Sequence, residues 1–574
     1  MARTPLFQWM SRMVRRAMAE ADQPTHPLKP ESTSESDSIN LAAPMSRRAF
    51  LKTMIGAAGT VASVSIFPSI SSSAAGWAAS AVSLETPSSA PVIIAGAGLG
   101  GLVTAYRLTQ MGIPCELYEA GRRPGGRVFT RRNFNSQGMF VELGGELVDT
   151  GHEDLIALCG ELNVPLERFE EAEAGIAPAL YFSGGKVHTE AQVLQAFKPL
   201  AETLAKDIRL CFPDGEIQIP TFQAPYNAKW MDDLNLEAYL NTQKNVDAWL
   251  IRLIKAAYTG EYGLDPSEQS ALNLLLLIGT DSQSQFRMFG ESDEAMRIQN
   301  GNSMLVSALV AALENKVPIH YGYRLNKISD KHGALHLSFK SERQTIQRTP
   351  DRAVLAIPFS VLRTVDGIDE LTLSPVKRRC IQEWGYGTNS KQMIGFHSRF
   401  WRSAYPVSSG ASVSVVPSSG ELFTDLPSQC YWETSRLQAG NSGILTNFLG
   451  GKAGREAART QWQLALKDLA LLYPEVQDET DNNRAFFNWF RNPYAKGSYT
   501  CPKPGQYTRL MGAAGLPELD GRLFFAGEHC SVDWAGFMNG AVQSGNVAAL
   551  QISGRKAVLG NSTIAVTQKV PIGV

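Results

Sequence analysis

The sequence predicts an α/β protein in which a Rossmann-like nucleotide-binding domain is interleaved with a mixed-sheet substrate domain and a helical insertion. Three observations carry this. An apolar run near residue 92 ends in a glycine turn and is followed by apolar residues at helical spacing. The chain has 574 residues, long for one core and suited to interleaved domains. Blocks of helical periodicity fill much of residues 151–299.

The turn comes first. Val92-Ile93-Ile94-Ala95 runs into Gly96-Ala97-Gly98-Leu99-Gly100-Gly101, and Leu102, Val103, Tyr106 and Leu108 follow. This order reads as strand, tight turn, helix. Gly96 permits the turn, Gly98 lets backbone approach a pyrophosphate, and Gly101 lets helix and strand pack closely. The helix N-terminus presents free N–H groups to phosphates. A second strand ends at Glu119, 23 residues after Gly96, where a ribose hydroxyl is usually gripped. An isolated glycine pattern also fits a surface turn; the flanking strands and helix favour a dinucleotide.

Composition narrows the classes. With 54 basic and 55 acidic residues the formal charge is −1, which offers no electrostatic case for nucleic acid. The seven cysteines are scattered and form no CxxC pair, so neither a disulfide scaffold nor a metal site is expected. Residues 1–44 are polar, lack periodicity and read as a disordered leader. Residues 45–85 begin with Ser46-Arg47-Arg48-Ala49-Phe50-Leu51-Lys52, then turn uncharged and small. That order is an export signal and resembles a twin-arginine signal. The expectation is a periplasmic or secreted bacterial protein whose partners include the twin-arginine export machinery. The uncharged stretch is interrupted by Gly and Ser, too weak for a permanent membrane span.

Beyond Glu119, Gly125-Gly126-Arg127 can pass under a pyrophosphate, with the guanidinium supplying charge. A short strand, Phe140-Val141-Glu142-Leu143, opens into Gly144-Gly145, and backbone pressed against a flat ring needs such glycines. Together with residues 96–101 and Glu119, these motifs resemble the flavin-containing amine oxidases, a family that includes monoamine, polyamine and L-amino-acid oxidases. The resemblance spans about residues 90–555 and is nearest in kind to exported bacterial L-amino-acid oxidases. It implies FAD as the dinucleotide. It also implies FAD-binding segments at 90–150, 300–360 and 515–555. Residues 151–299 would be helical and part of the substrate domain, 361–514 the rest of that domain, and 556–574 a C-terminal tail.

The same resemblance assigns further residues. Leu325 would give adenine a backbone contact. Lys391 would hold a water near flavin N5; the residue-level alternative is a strand-end lysine snorkelling to solvent. Trp489 stands ten residues before Tyr499, as a similar pair does in monoamine oxidases. Tyr499 and Phe537 would form an aromatic sandwich, with Trp534 nearby. Gly527 and Glu528 would reach the ribityl and pyrophosphate groups, and Gly536, Phe537 and Met538 the flavin edge. Ser498 stands where monoamine oxidases place the cysteine linked to FAD, so the FAD is expected to be non-covalent.

The expected activity is FAD-dependent oxidation of the α C–N bond of an L-amino acid by molecular oxygen, giving a 2-oxo acid, ammonia and hydrogen peroxide. The resemblance to exported bacterial enzymes that oxidise L-amino acids, including basic ones, favours L-arginine or L-lysine. Glu261, Asp265 and Asp281 lie in or near the helices that form the chamber wall in the family, where an acidic wall would suit a cationic side chain. Leu147 departs from the carboxylate-binding arginine of venom-type L-amino-acid oxidases, leaving Arg287 or Arg491 to replace it. The alternatives are a polyamine or monoamine oxidase and a flavin-binding electron-transfer protein. A homodimer or higher homo-oligomer is expected.

Overall fold

Val92–Ala95 is buried at every position, as a strand covered on both faces must be. Val92 and Ile94 point into one apolar core, Ile93 and Ala95 into another. The strand lies at the centre of a parallel five-stranded sheet in the order Leu523–Phe525, Ala353–Leu355, Val92–Ala95, Cys115–Glu119, Ile319–Tyr321. Its strands come from three distant stretches of chain, the interleaving that the length suggests. The computed structural model describes residues 90–170, 175–215, 217–280, 286–290, 292–403, 405–406, 414–554, 558–559 and 562–563. The leader, the twin-arginine-like segment, Asp281 and most of the tail lie outside the described residues. No helix among the described residues is long and apolar enough to cross a membrane.

One core of the sheet is closed by the helices Leu99–Gln110, Ser303–Leu313 and Met538–Ser553, through Leu102, Leu309, Val542 and their neighbours. The other core takes in Leu325, Ile328, Leu337 and Phe339 from an antiparallel three-stranded sheet. There the alternation of Leu335, Leu337 and Phe339 puts all three inside.

A seven-stranded mixed sheet forms the second layer. Its order is Thr480–Asn488, Ser390–Phe396, Gly443–Leu449, Cys430–Glu433, Leu422–Thr424, Leu180–Ser183, Lys186–His188. All pairs are antiparallel except Leu422–Thr424 with Leu180–Ser183. Ser390–Phe396, which carries Lys391, is buried along its whole length.

Within residues 151–299, expected to be helical, the stretch 235–277 forms three helices: Leu236–Asn241, Ala248–Tyr262 and Leu272–Leu277. Gly263 stops the middle one at φ +74°, where a Cβ would lie 2.0 Å from the Asn389 side chain. Glu190–Cys211 starts with a capping box between Thr189 and Gln192.

Close packing at the opening turn is strict. A Cβ on Gly101 would sit 2.0 Å from the Gly96 carbonyl oxygen. Gly101→Ala is expected to destabilise the apoprotein by about 1–3 kcal/mol, the usual cost of overpacking. A wild-type melting temperature for the cofactor-free variant would contradict this packing.

Candidate active site

A single cavity of about 520 Å³ joins the glycine turns to the second sheet. Its lining includes Gly96, Gly98, Glu119, Gly125, Gly126, Arg127 and Leu325, and also Gly144, Gly145, Lys391, Trp489, Tyr499, Gly527, Glu528, Gly536, Phe537 and Met538. Two expected site residues are outside it. Gly101 packs helix on strand, and Trp534 is buried behind Phe537.

At the nucleotide end, Gly96 adopts φ +108° and brings the chain around. A Cβ on Gly98 would meet nothing closer than the Gly126 Cα at 4.0 Å, so that face is open to the cavity. The Gly125 N–H donates to the Ala97 carbonyl at 2.8 Å, laying the second glycine loop beside the first. Glu119 accepts from the Ala97 N–H at 2.9 Å and the Gly121 N–H at 2.7 Å. Burial pushes its pKa up against these bonds.

Arg127 and Glu528 meet each other. The Arg127 Nη1 donates to Glu528 Oε1 and to the Ser498 carbonyl, both at 2.8 Å. Glu528 Oε2 accepts from the Thr500 hydroxyl at 2.8 Å and the Gly536 N–H at 2.7 Å. Burial opposes the Glu528 charge, but Arg127 and the hydrogen bonds prevail and hold the carboxyl below its usual range. The guanidinium expected to serve a pyrophosphate is thus neutralised mainly by Glu528, and the carboxylate expected on a ribityl chain is occupied by protein donors.

The middle of the cavity is a layer of tightly laid backbone. A Cβ on Gly144 would lie 1.8 Å from the Arg127 carbonyl oxygen and 3.1 Å from the Trp489 ring. One on Gly145 would lie 3.0 Å from the Met538 side chain. Trp489 Nε1 donates to the Leu143 carbonyl at 2.7 Å, fixing its ring. Lys391 is buried, not snorkelling. Its Nζ bonds the Gly144 carbonyl and Glu146 Oε2, both at 2.8 Å, and the Glu142 carbonyl at 3.2 Å.

Tyr499 and Phe537 both line the far end. The Tyr499 hydroxyl donates to the Glu261 carbonyl at 2.5 Å. Phe537 is braced by His152 at 5.2 Å between ring centroids and by Trp534 at 6.3 Å. Trp534 therefore supports a cage ring and is not itself a wall of the site; it packs edge-on against His152 at 5.1 Å. His152 was not anticipated from sequence. Its Nδ1 accepts from the Asp149 N–H at 3.0 Å, and burial pushes its pKa down to about 4 despite Asp149. Nothing around a single His at a helix start distinguishes it in the sequence.

Ser498 Oγ donates to Asn389 Oδ1 at 2.6 Å, so the position matched to the covalent cysteine carries a bonded hydroxyl. Cys501 and Cys530 do not line the cavity.

The substrate half differs most from expectation. Of the acidic-wall residues, Glu261 lines the cavity, while Asp265 accepts from the Lys452 N–H at 3.0 Å elsewhere. Asp149, Glu294 and Glu421 join Glu261 there, and Glu146 lies beside Lys391. Glu146 and Asp149 directly follow the second glycine pair, a signal that could have been read. Glu294 and Glu421 carry no local signal. Among the described residues, the arginines lining the cavity are Arg122, Arg123, Arg127 and Arg324, all grouped with the nucleotide-end residues. Arg287 and Arg491 do not line it.

A Rossmann-type sheet, an open Gly98–Gly126 cradle and a cavity also lined by Trp489, Tyr499 and Phe537 fit a flavin dinucleotide. These features define a flavin-dependent oxidoreductase. The sequence model of the family described as flavin containing amine oxidoreductase matches residues 99–553, and the chain belongs to that family. It is similar to an L-amino acid dehydrogenase of Synechocystis, 25% identical over 81% of this chain and 95% of that one. It is also similar to flavin-containing amine oxidase B of Cavia porcellus, 23% identical over 80% and 85% respectively. A solved structure of wild-type putrescine oxidase bound to putrescine covers 81% of this chain and 99% of its own, at 19% identity and a TM-score of 0.63. The chain is an FAD-dependent oxidase of amine or amino groups, with non-covalent FAD and molecular oxygen as co-substrate.

Two outcomes follow from this geometry. Gly98→Ala places a methyl in the open cradle; it should leave the apoprotein's melting temperature unchanged and raise the FAD dissociation constant about tenfold, or 1.4 kcal/mol. Equal FAD affinity in titration of the apoprotein would refute the cradle. The second concerns Glu142, which accepts from the Thr130 hydroxyl and the Asn302 N–H. Burial, with Glu146 nearby, pushes it up to about 7. A raised carboxyl stabilises the fold fully below its unfolded pKa and loses that contribution as pH climbs through the folded value. Between about pH 5 and 8 the wild type should therefore lose on the order of 2–3 kcal/mol relative to Glu142→Gln. Parallel melting curves across that range would be the contrary result.

Proposed function

We propose that the chain is a diamine or polyamine oxidase, the alternative to L-amino-acid oxidation. The observation that carries this is the wall of the substrate half: Asp149, Glu261, Glu294 and Glu421, with no arginine among the described residues. A substrate carboxylate would meet repulsion there, and a second ammonium attraction. Burial pushes Glu261 up to about 7 and Glu294 well above the carboxylate range, with Glu421, Asp149 and Glu261 adding to the Glu294 shift. Carboxyls crowded in this way are relieved by a bound cation. Neither the Glu261 nor the Glu294 carboxylate accepts a hydrogen bond among the described residues, which leaves both for a ligand.

In this reading FAD, when bound, supplies the two-electron acceptor chemistry that oxygen renews. The residues of the chain do the rest. Gly96, Gly98, Glu119, Gly125 and Gly126 hold the nucleotide. Tyr499 and Phe537 flank the reacting amine and exclude water, favouring its neutral form. The distal acids hold the remaining ammonium and set the depth of entry. A monoamine lacks that anchor. Export through the twin-arginine pathway belongs to the same proposal, supported by residues 46–52; cell fractionation tests it.

Peroxide release measured on putrescine, spermidine, tyramine, L-arginine, L-lysine and neutral L-amino acids decides the substrate. Turnover should be greatest with the di- or polyamine; a higher kcat/KM for L-arginine or L-lysine overturns the reading. Glu294→Gln should raise KM for the diamine about tenfold, the loss of one modest ionic contact, and leave tyramine little changed.

A further inference from the structure

The Lys391–Glu146 pair is not explained by substrate binding. We infer that Glu146 is a positioning residue that pins the Lys391 ammonium to the Gly144 carbonyl and cancels its charge toward the bound cofactor. The inference rests on FAD occupying the cavity and holds whichever amine is oxidised.

A lysine ammonium has three N–H donors. Three acceptors surround Lys391 Nζ: Glu146 Oε2 and the Gly144 carbonyl at 2.8 Å, and the Glu142 carbonyl at 3.2 Å. Its three donors all find acceptors within the protein. Trp432 and Phe448 cover the same nitrogen at 4.9 and 5.9 Å to their ring centroids. Both partner side chains are only 6% exposed. An ammonium so enclosed needs its counter-charge, because removing one member of a buried pair strands the other.

Glu146 is fixed from both sides. Oε2 holds the lysine, and Oε1 accepts from the Thr434 hydroxyl at 2.9 Å. That hydroxyl shares a 2.6 Å hydrogen bond with Thr446. The neighbouring carboxylate, Glu142, turns instead to Thr130 and Asn302. The pair thus joins strands Ser390–Phe396, Cys430–Glu433 and Gly443–Leu449 to the backbone layer at Gly144–Gly145. Gly145 abuts Met538, next to Phe537 in the chain, so the pair braces the wall that carries one aromatic face.

The test compares Glu146→Gln, Lys391→Met and the double variant, through the two-electron potential of bound FAD and the melting temperature of the apoprotein. Glu146→Gln leaves an uncompensated cation and should raise the potential; Lys391→Met leaves an uncompensated anion and should lower it. Each shift is expected to be about tenfold in the redox equilibrium, about 30 mV for a two-electron couple. In the apoprotein, adding Lys391→Met should recover stability lost in Glu146→Gln. If Glu146→Gln does not fold, folding of the double variant is that recovery. An unchanged potential in Glu146→Gln, shifts of the same sign, or a double variant as unstable as the two losses summed overturns the inference. Failure of the wild type to take up FAD would defeat the cofactor reading alone, and the apoprotein comparison would still decide Glu146. Substrate preference does not enter either readout, so the diamine reading stands or falls separately.

Discussion

The carboxylate of Glu528 is the tie on which the geometry of the site depends. It receives Arg127 from the loop after the second strand, Thr500 from the turn carrying Tyr499, and the Gly536 N–H from the turn carrying Phe537. Segments some 400 positions apart in the chain therefore converge on one side chain. Tyr499 and Phe537, which both line the cavity, are each adjacent in sequence to one of these contacts. Burial makes the carboxylate costly unless every partner is present, and with them present its charged form is favoured. The same bonds that join the two sheets thus orient the rings.

A second regularity is electrostatic. The arginines that line the cavity gather with the glycine turns, and Asp149, Glu261, Glu294 and Glu421 gather at the other end. The near-neutral whole chain conceals this separation. An anionic dinucleotide and a cationic amine are the two ligands such a polarised cavity accommodates together, each facing opposite charge.

What could be read from sequence follows from how local the physical requirement is. Gly96, Gly101, Gly144 and Gly145 announce themselves because close backbone contact admits no side chain, whatever surrounds it. The central strand Val92–Ala95 was legible as an apolar run stopped by Gly, whereas the edge strand Ile319–Tyr321 has no such run. The wall residues were not. Glu294 and Glu421 are ordinary surface-type residues until strands from elsewhere enclose them. Trp534 reads as a cage neighbour and His152 carries no signal, and only packing shows that both stand behind Phe537. The stretch 235–277 reads as one helical block, yet its middle helix is cut at Gly263, which lies against Asn389, a residue far along the chain. Leu147, the departure from the venom-type pattern, agrees with a substrate half that no arginine among the described residues lines.

That cut has a consequence for chemistry. Helix Ala248–Tyr262 ends at the cavity, and its last turn presents the Glu261 carboxylate together with the Glu261 carbonyl that holds the Tyr499 hydroxyl. A helix C-terminus carries partial negative charge, which adds to the carboxylates around it. Extending the helix past Gly263 would move this terminus away from the Asn389 strand and take both groups with it. In the proposed diamine reading, one helix end therefore supplies both attraction for a distal cation and the anchor for Tyr499. In that reading a change that shifts this terminus alters substrate choice and ring orientation together, whereas a change at Glu294, on a separate segment, reaches only the first.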